Sequence, residues 1–325
     1  MTSLFKEQSS ASVFWLIAVS LAVHSYFFIQ PPQVLLPNED EVLANIMMPL
    51  TTLSPMVIMF LYYIIILVQA LRLNYLLNDL KMFPRPTFAT AWSYILLSAL
   101  YPAWNNITPA LLMNIFLIWL IYRLAKLHNS QKPKNDIYNI GLITGLMVML
   151  YNPAIPTVLL VFWALGILRP FHLNEWFVLL MGIITPFYFL AGIVFLRGDF
   201  KNILKYLPEF HWHLMDPQHE ITMLITTIAI ALLVLIGFII WQNNNGRMII
   251  QARKNWAVLL LMFIFLIPGV FIIINAPFDC LLLCTVPAAA LTANAFFYPK
   301  NLFPSILFWC LLGAVLLNTW YYAAR

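Results

Sequence analysis

A chain of 325 residues with 63% hydrophobic and 9% charged residues lacks the polar stock for a water-exposed surface, because soluble domains carry about 25% charged residues. A single soluble core is therefore excluded, and the length allows roughly a dozen spans of about 20 residues with short connections. The net charge of +5 comes from Lys and Arg scattered over short loops. That scatter speaks against nucleic acid as a partner and for retention of those loops on one side of a bilayer.

The opening MTSLFKEQSS is followed by SVFWLIAVSLAVHSYFFI. This run is longer than a signal-peptide core and places bulky aromatics where a cleavage site needs small residues, so it reads as an uncleaved first span. Further spans fall near 52–71, 87–104, 106–125, 137–151, 153–168, 174–196, 221–241, 256–275, 280–297 and 302–321, after a first at 12–29. The gaps between them alternate in charge. With the N-terminus inside, the inner gaps hold Lys6, Arg72, Lys81, Arg85, Arg123, Lys126, Lys132, Lys134, Arg169, Arg247, Arg253, Lys254 and Lys300, which is 13 of 17 basic residues. The outer gaps hold only Arg197, Lys201, Lys205 and Arg325. The positive-inside rule then gives an all-α polytopic bundle of about 11 spans, N-terminus in and C-terminus out, as one integral membrane domain over residues 1–325.

The segments 137–151 and 153–168 are short and meet at Tyr151-Asn152-Pro153. They either cross or form a re-entrant hairpin, which lowers the count to nine; Arg169 stays inside in both cases. Pro55, Pro109, Pro186, Pro268 and Pro287 lie in or near apolar runs, where proline kinks a helix and frees a carbonyl that neighbours must satisfy. Gly141-x-x-x-Gly145 lets two helices approach closely, and packing is its expected role. No internal repeat of the kind that marks many transporters is visible. Cys280 and Cys284, four apart on one helix face, read as small buried side chains rather than a disulfide.

Polar chemistry gathers outside. Eight of the 12 carboxylates fall in outer gaps: Glu39, Asp40, Glu41, Asp199, Glu209, Asp216, Glu220 and Asp279. Glu39, Asp40 and Glu41 form the densest acidic run and are the candidate catalytic residues, as a base or as ligands for a divalent metal ion on a diphosphate; the plainer alternative is a solvated loop. The outer loop at about 197–220 begins with Phe200, Ile203, Leu204 and Leu207, the stripe of an amphipathic interfacial helix. It then packs His211, His213, Asp216 and His219, with Glu220, into a candidate metal site of no standard spacing. Asn105, Asn106, Asn152 and Asp279 stand near outer ends of spans as candidate substrate-lining groups. His24, alone in the first span, reads as a packing residue. On the inner side LRLNYLLNDLKMFPRPTF attracts anionic headgroups, and in LRPFHLNEWF a pair between Arg169 and Glu175 is expected, with Trp176 in the aromatic belt.

At LNYLLNDLKMFPRPTF, the Tyr-Asn-Pro hairpin and LRPFHLNEWFVLLMGIITPFYFL, spanning roughly residues 70–195, the chain resembles an uncharacterised family of multi-pass inner-membrane proteins from Bacteroidetes-type bacteria. That resemblance implies a bacterial inner membrane and a periplasmic outer face. The chain is also similar to multi-pass glycosyltransferases that use polyprenyl-phosphate sugars, which carry an acidic residue in the first outer loop where Glu39, Asp40 and Glu41 stand here. Their first outer loop is longer, and a soluble outer domain is absent here. Three readings remain open. The chain acts on a lipid-linked glycan substrate at the periplasmic face, in a cell-envelope process; it is a non-catalytic scaffold holding envelope protein partners; or it is a transporter.

Overall fold

The computed structural model describes residues 10–37, 42–128, 130–196, 198, 221–272, 277–299 and 303–323. These residues are helical almost throughout: α1 (Ser10–Val23), α2 (Val42–Met47), α3 (Pro55–Asp79), α4 (Ala89–Ser98), α5 (Pro109–Leu127), α6 (Pro133–Leu150), α7 (Pro156–Leu168), α8 (Leu173–Leu196), α9 (Ile221–Asn245), α10 (Ile250–Ile272), α11 (Pro277–Phe297) and α12 (Phe303–Ala323). Seven of them, α3, α5 and α8–α12, are long and apolar enough to cross a membrane. The chain is a multi-pass membrane protein. A helix keeps all its backbone bonds within one segment, which is why apolar runs of this length fold this way in lipid.

Several helix starts follow from local chemistry. Pro55, Pro109, Pro133 and Pro156 stand at the first position of α3, α5, α6 and α7, where proline's missing N–H costs nothing. Thr108 caps α5 by accepting from the Leu111 N–H at 3.2 Å. Pro55 and Pro109 thus begin helices rather than kinking them, whereas Pro186, Pro268 and Pro287 lie inside α8, α10 and α11.

Helix α11 is the hub. It packs against α4, α5, α9, α10 and α12. Its spanning window is 89% buried, against 22–61% for the other six, so the bundle is built around it. Small residues permit the approach: Ala288, Ala289, Ala290, Ala293 and Ala295 are all buried. Helix α8 lies at the rim and rests chiefly on α6. The glycines of the Gly141/Gly145 pair carry this contact. A Cβ at Gly141 would sit 2.4 Å from the Leu179 carbonyl oxygen, one at Gly145 2.3 Å from that of Ile183, and one at Gly182 2.5 Å from that of Tyr138.

The expected span at 87–104 departs most from expectation. Helix α4 ends at Ser98 after ten residues, all buried, about 15 Å of rise and half the ~30 Å hydrocarbon thickness. A 3-10 turn at Pro102–Trp104 follows. Pro102 holds Tyr101 extended, as a residue before proline must be, so the helix cannot run on. Irregular backbone at membrane depth needs protein partners, and it has them. The Leu100 carbonyl accepts from Asn318 Nδ2 at 3.0 Å, the Trp104 carbonyl from the Tyr62 hydroxyl at 3.4 Å, and the Ile107 carbonyl from the Leu35 N–H at 3.1 Å.

Contacts also sort the loops by end. Trp256 Nε1 donates to the Met82 carbonyl at 3.3 Å and Lys254 Nζ to the Leu168 carbonyl at 3.4 Å, which gathers three basic segments at one end of the bundle. Arg169 and Glu175 form the expected pair there, with two parallel bonds of 3.0 and 2.9 Å. The opposite end collects residues 24–35, 100–107 and 318–320 through the Asn318 bond, the Tyr26–Trp320 ring contact and a parallel bridge between Val34 and Ile107.

Candidate functional site

The end opposite the basic loops carries a cleft of about 240 Å³ lined by Tyr26, Phe27, Gln30, Pro31, Pro32, Gln33, Pro102, Asn105, Asn106 and Thr319. Its shape comes from the two chain segments that the Val34–Ile107 bridge joins. The Ile107 N–H donates to the Gln33 carbonyl at 2.9 Å, and the Gln33 N–H donates to Asn106 Oδ1, also at 2.9 Å. Asn106 therefore positions the loop with its side-chain oxygen. Asn105 plays a different part: its Oδ1 is buried and has no hydrogen-bond partner among the described residues. A buried acceptor left unpaired costs about 1–3 kcal/mol, so it calls for a donor from water or a ligand. Among the described lining residues no side chain is charged. The cleft offers amides, a phenol and proline rings, a chemistry suited to hydroxyl-rich neutral groups.

The structure thus brings together Asn105 and Asn106 of the four candidate lining residues. Asn152 opens a separate 3-10 turn, Asn152–Ala154, and does not line the cleft. Asp279 lies in the first turn of α11, and its side chain lies outside the described residues. Tyr151 and Cys280 meet at 3.4 Å, which sets the Asn152 turn beside the start of α11. Glu39, Asp40 and Glu41 lie outside the described residues, as do His211, His213, Asp216, His219 and Glu220 and the stripe from Phe200 to Leu207. Among the described residues no three His, Cys, Asp or Glu side chains converge as a metal site.

Gln33 was not anticipated as the partner of Asn106, nor Gln30 as a lining residue. Their signal was weak: two amides in a proline-flanked stretch, 73 residues from Asn106. His24 is a packing residue, with Nδ1 at 2.9 Å from the Ser20 carbonyl and its ring against Phe27, Tyr62 and Tyr63.

A second polar feature lies inside the bundle. The Tyr94 hydroxyl donates to Gln69 Oε1 at 2.6 Å and accepts from Asn114 Nδ2 at 3.1 Å. Asn114 Nδ2 also donates to the Leu282 carbonyl at 3.1 Å, and Gln69 Nε2 to the Leu111 carbonyl at 2.6 Å. Helices α3, α4, α5 and α11 are joined by this chain of bonds. All three side chains are buried, so the network ties the helices together.

No curated protein and no solved structure matches the chain. One family does, over residues 42–324, a range that takes in α2 through α12, the whole buried network and, of the cleft, Pro102, Asn105, Asn106 and Thr319. The chain belongs to that family, a family of unknown function (DUF6427).

Proposed function

We propose that this protein is a bacterial inner-membrane protein of about 11 spans, N-terminus in and C-terminus out, that handles a lipid-linked glycan substrate at its outer, periplasmic face. The neutral cleft is the observation that supports this reading, above all the unpaired Asn105 Oδ1 within it. A sugar hydroxyl supplies the missing donor, and the proline faces of Pro31, Pro32 and Pro102 suit a pyranose ring. Proximity of the acidic run adds support. The nearness is one of sequence: Asp40 follows Gln33 by seven residues. In this reading Glu39, Asp40 and Glu41 supply a base or hold a divalent metal ion with the diphosphate, and His211, His213, Asp216 and His219 are further candidate ligands.

The test is photo-crosslinking of the full chain in nanodiscs with a polyprenyl-diphosphate sugar that carries a photoreactive group on the sugar. Crosslinks are expected at Gln30–Gln33 and Asn105–Asn106, and Asn105→Leu is expected to weaken them. The double variant Glu39→Gln, Asp40→Asn is expected to bind the probe without turning it over. Crosslinks scattered over lipid-facing helices and unchanged in Asn105→Leu would overturn the reading. Co-purification of a defined envelope partner, with full function in the double variant, would favour a scaffold instead.

A further inference from the structure

The larger described cavity is at the other end. A groove of about 1120 Å³ runs between α3 and α5, lined by Val68, Gln69, Leu71, Arg72, Tyr75, Leu76, Asn78, Asp79, Pro86, Ile115, Ile118, Trp119 and Tyr122. From Gln69 to Asp79 it follows α3 for about 15 Å, roughly half the hydrocarbon thickness. Its character changes along that length. Val68, Leu71, Ile115 and Ile118 give the inner part an apolar lining. Arg72, Tyr75, Asn78, Asp79 and Tyr122 make the part near the basic end polar. An amphiphile is the molecule that matches such a gradient, with its tail toward the bilayer midplane and its headgroup toward the loops.

The two lining charges narrow the headgroup. Arg72 sits seven residues before the last residue of α3, about 10 Å back along the helix. The ion pairs among the described residues are Arg123–Asp136 and Arg169–Glu175, so neither Arg72 nor Asp79 has an ion-pair partner among them. Retention on the inner side accounts for a basic residue here. It does not account for an unpaired carboxylate at the mouth of the same groove. Guanidinium recognises phosphate through paired N–H donors, and a carboxylate recognises ammonium. We propose that the groove holds one aminophospholipid from the adjacent leaflet, its phosphate at Arg72 and its ammonium at Asp79, with the flexible Arg72 stem spanning the gap along the helix. The aromatic rings of Tyr75, Trp119 and Tyr122 flank the headgroup level, where amphipathic rings are favoured.

This site is independent of the outer cleft, and the experiment separates them. The full chain is reconstituted in nanodiscs of equal phosphatidylethanolamine and phosphatidylglycerol, released, and examined by native mass spectrometry for retained lipid. The wild type is expected to keep one phosphatidylethanolamine. Arg72→Gln removes the charged donor and lowers that occupancy roughly ten-fold. Asp79→Asn shifts the retained lipid toward phosphatidylglycerol. Val68→Trp, at a position 47% exposed to the groove and bilayer, fills the tail channel while leaving both charges, and lowers occupancy without lowering the unfolding midpoint. Equal retention of both lipids by the wild type overturns the proposal. So does wild-type occupancy in either Arg72→Gln or Val68→Trp, or an unchanged preference in Asp79→Asn.

Discussion

Replacing Tyr94 by Phe isolates the hydrogen-bond network that ties four helices. The ring and its packing stay, and one oxygen is lost, so no cavity of consequence opens. Two bonds go with it, the 2.6 Å bond to Gln69 Oε1 and the 3.1 Å bond from Asn114 Nδ2. Hydrogen bonds between membrane helices average about 0.6 kcal/mol and reach about 1.7, so two of them amount to roughly 1–3 kcal/mol. The consequences for the partners are unequal. Asn114 Nδ2 keeps the Leu282 carbonyl at 3.1 Å, but Gln69 Oε1 loses its donor in a site only 1% exposed, and a stranded buried acceptor is the costly half of a broken bond. The upper half of the range is therefore expected. The assay is equilibrium unfolding in bicelles by steric trapping, which reads free energy without assuming a thermal two-state transition. Because the two bonds share one hydroxyl, Tyr94→Phe and Asn114→Ala are expected to combine for less than their sum. A Tyr94→Phe protein as stable as wild type to within about 0.3 kcal/mol, or strict additivity in the pair, refutes the coupling.

Two further outcomes follow from helix packing and from topology. Gly145→Ala puts a Cβ against the Ile183 carbonyl and is expected to destabilise by about 1–3 kcal/mol as α8 is pushed off α6; Gly166→Ala, with nothing within 4 Å of its Cβ, is the control expected to match or exceed wild-type stability in the same steric-trapping measurement. In a Cys310→Ser background, Gln33→Cys is expected to react with an impermeant maleimide from the outside of intact spheroplasts, and Lys132→Cys only after permeabilisation. The reverse pattern would invert the proposed orientation.

Each of the 11 expected apolar segments overlaps a described helix, seven of which are long and apolar enough to cross a membrane, since a run of apolar residues in lipid satisfies its backbone within the segment. What the apolar pattern could not reveal is where α4 stops. The run from residue 87 to 104 looks continuous, yet its second half leaves the helix because Tyr62 and Asn318, distant in sequence, donate to the backbone carbonyls it exposes. The same holds for the cleft. Asn105 and Asn106 were legible as polar residues at a span end, whereas the pairing of Asn106 with Gln33 accompanies a parallel bridge that no local pattern encodes. Gln69, Tyr94 and Asn114 carried a signal that went unread: an amide or phenol inside each of three apolar runs, a combination that in lipid demands a partner.

These arrangements bear on how a ligand reaches the protein. The outer cleft and the inner groove share no lining residue, and Gln69, which lines the groove, is held by Tyr94 of the fully buried α4 and through it by Asn114. A continuous aqueous path between the two ends would have to displace α4 and break that network where it meets α11. Lateral entry demands no such rearrangement. The groove is flanked by Val68, Tyr75, Ile115 and Trp119, each at least 41% exposed in the bundle, so an acyl chain can enter it from the bilayer with the core intact. The packing therefore favours a protein that meets its ligands sideways, from the lipid phase, over one that passes them through its centre.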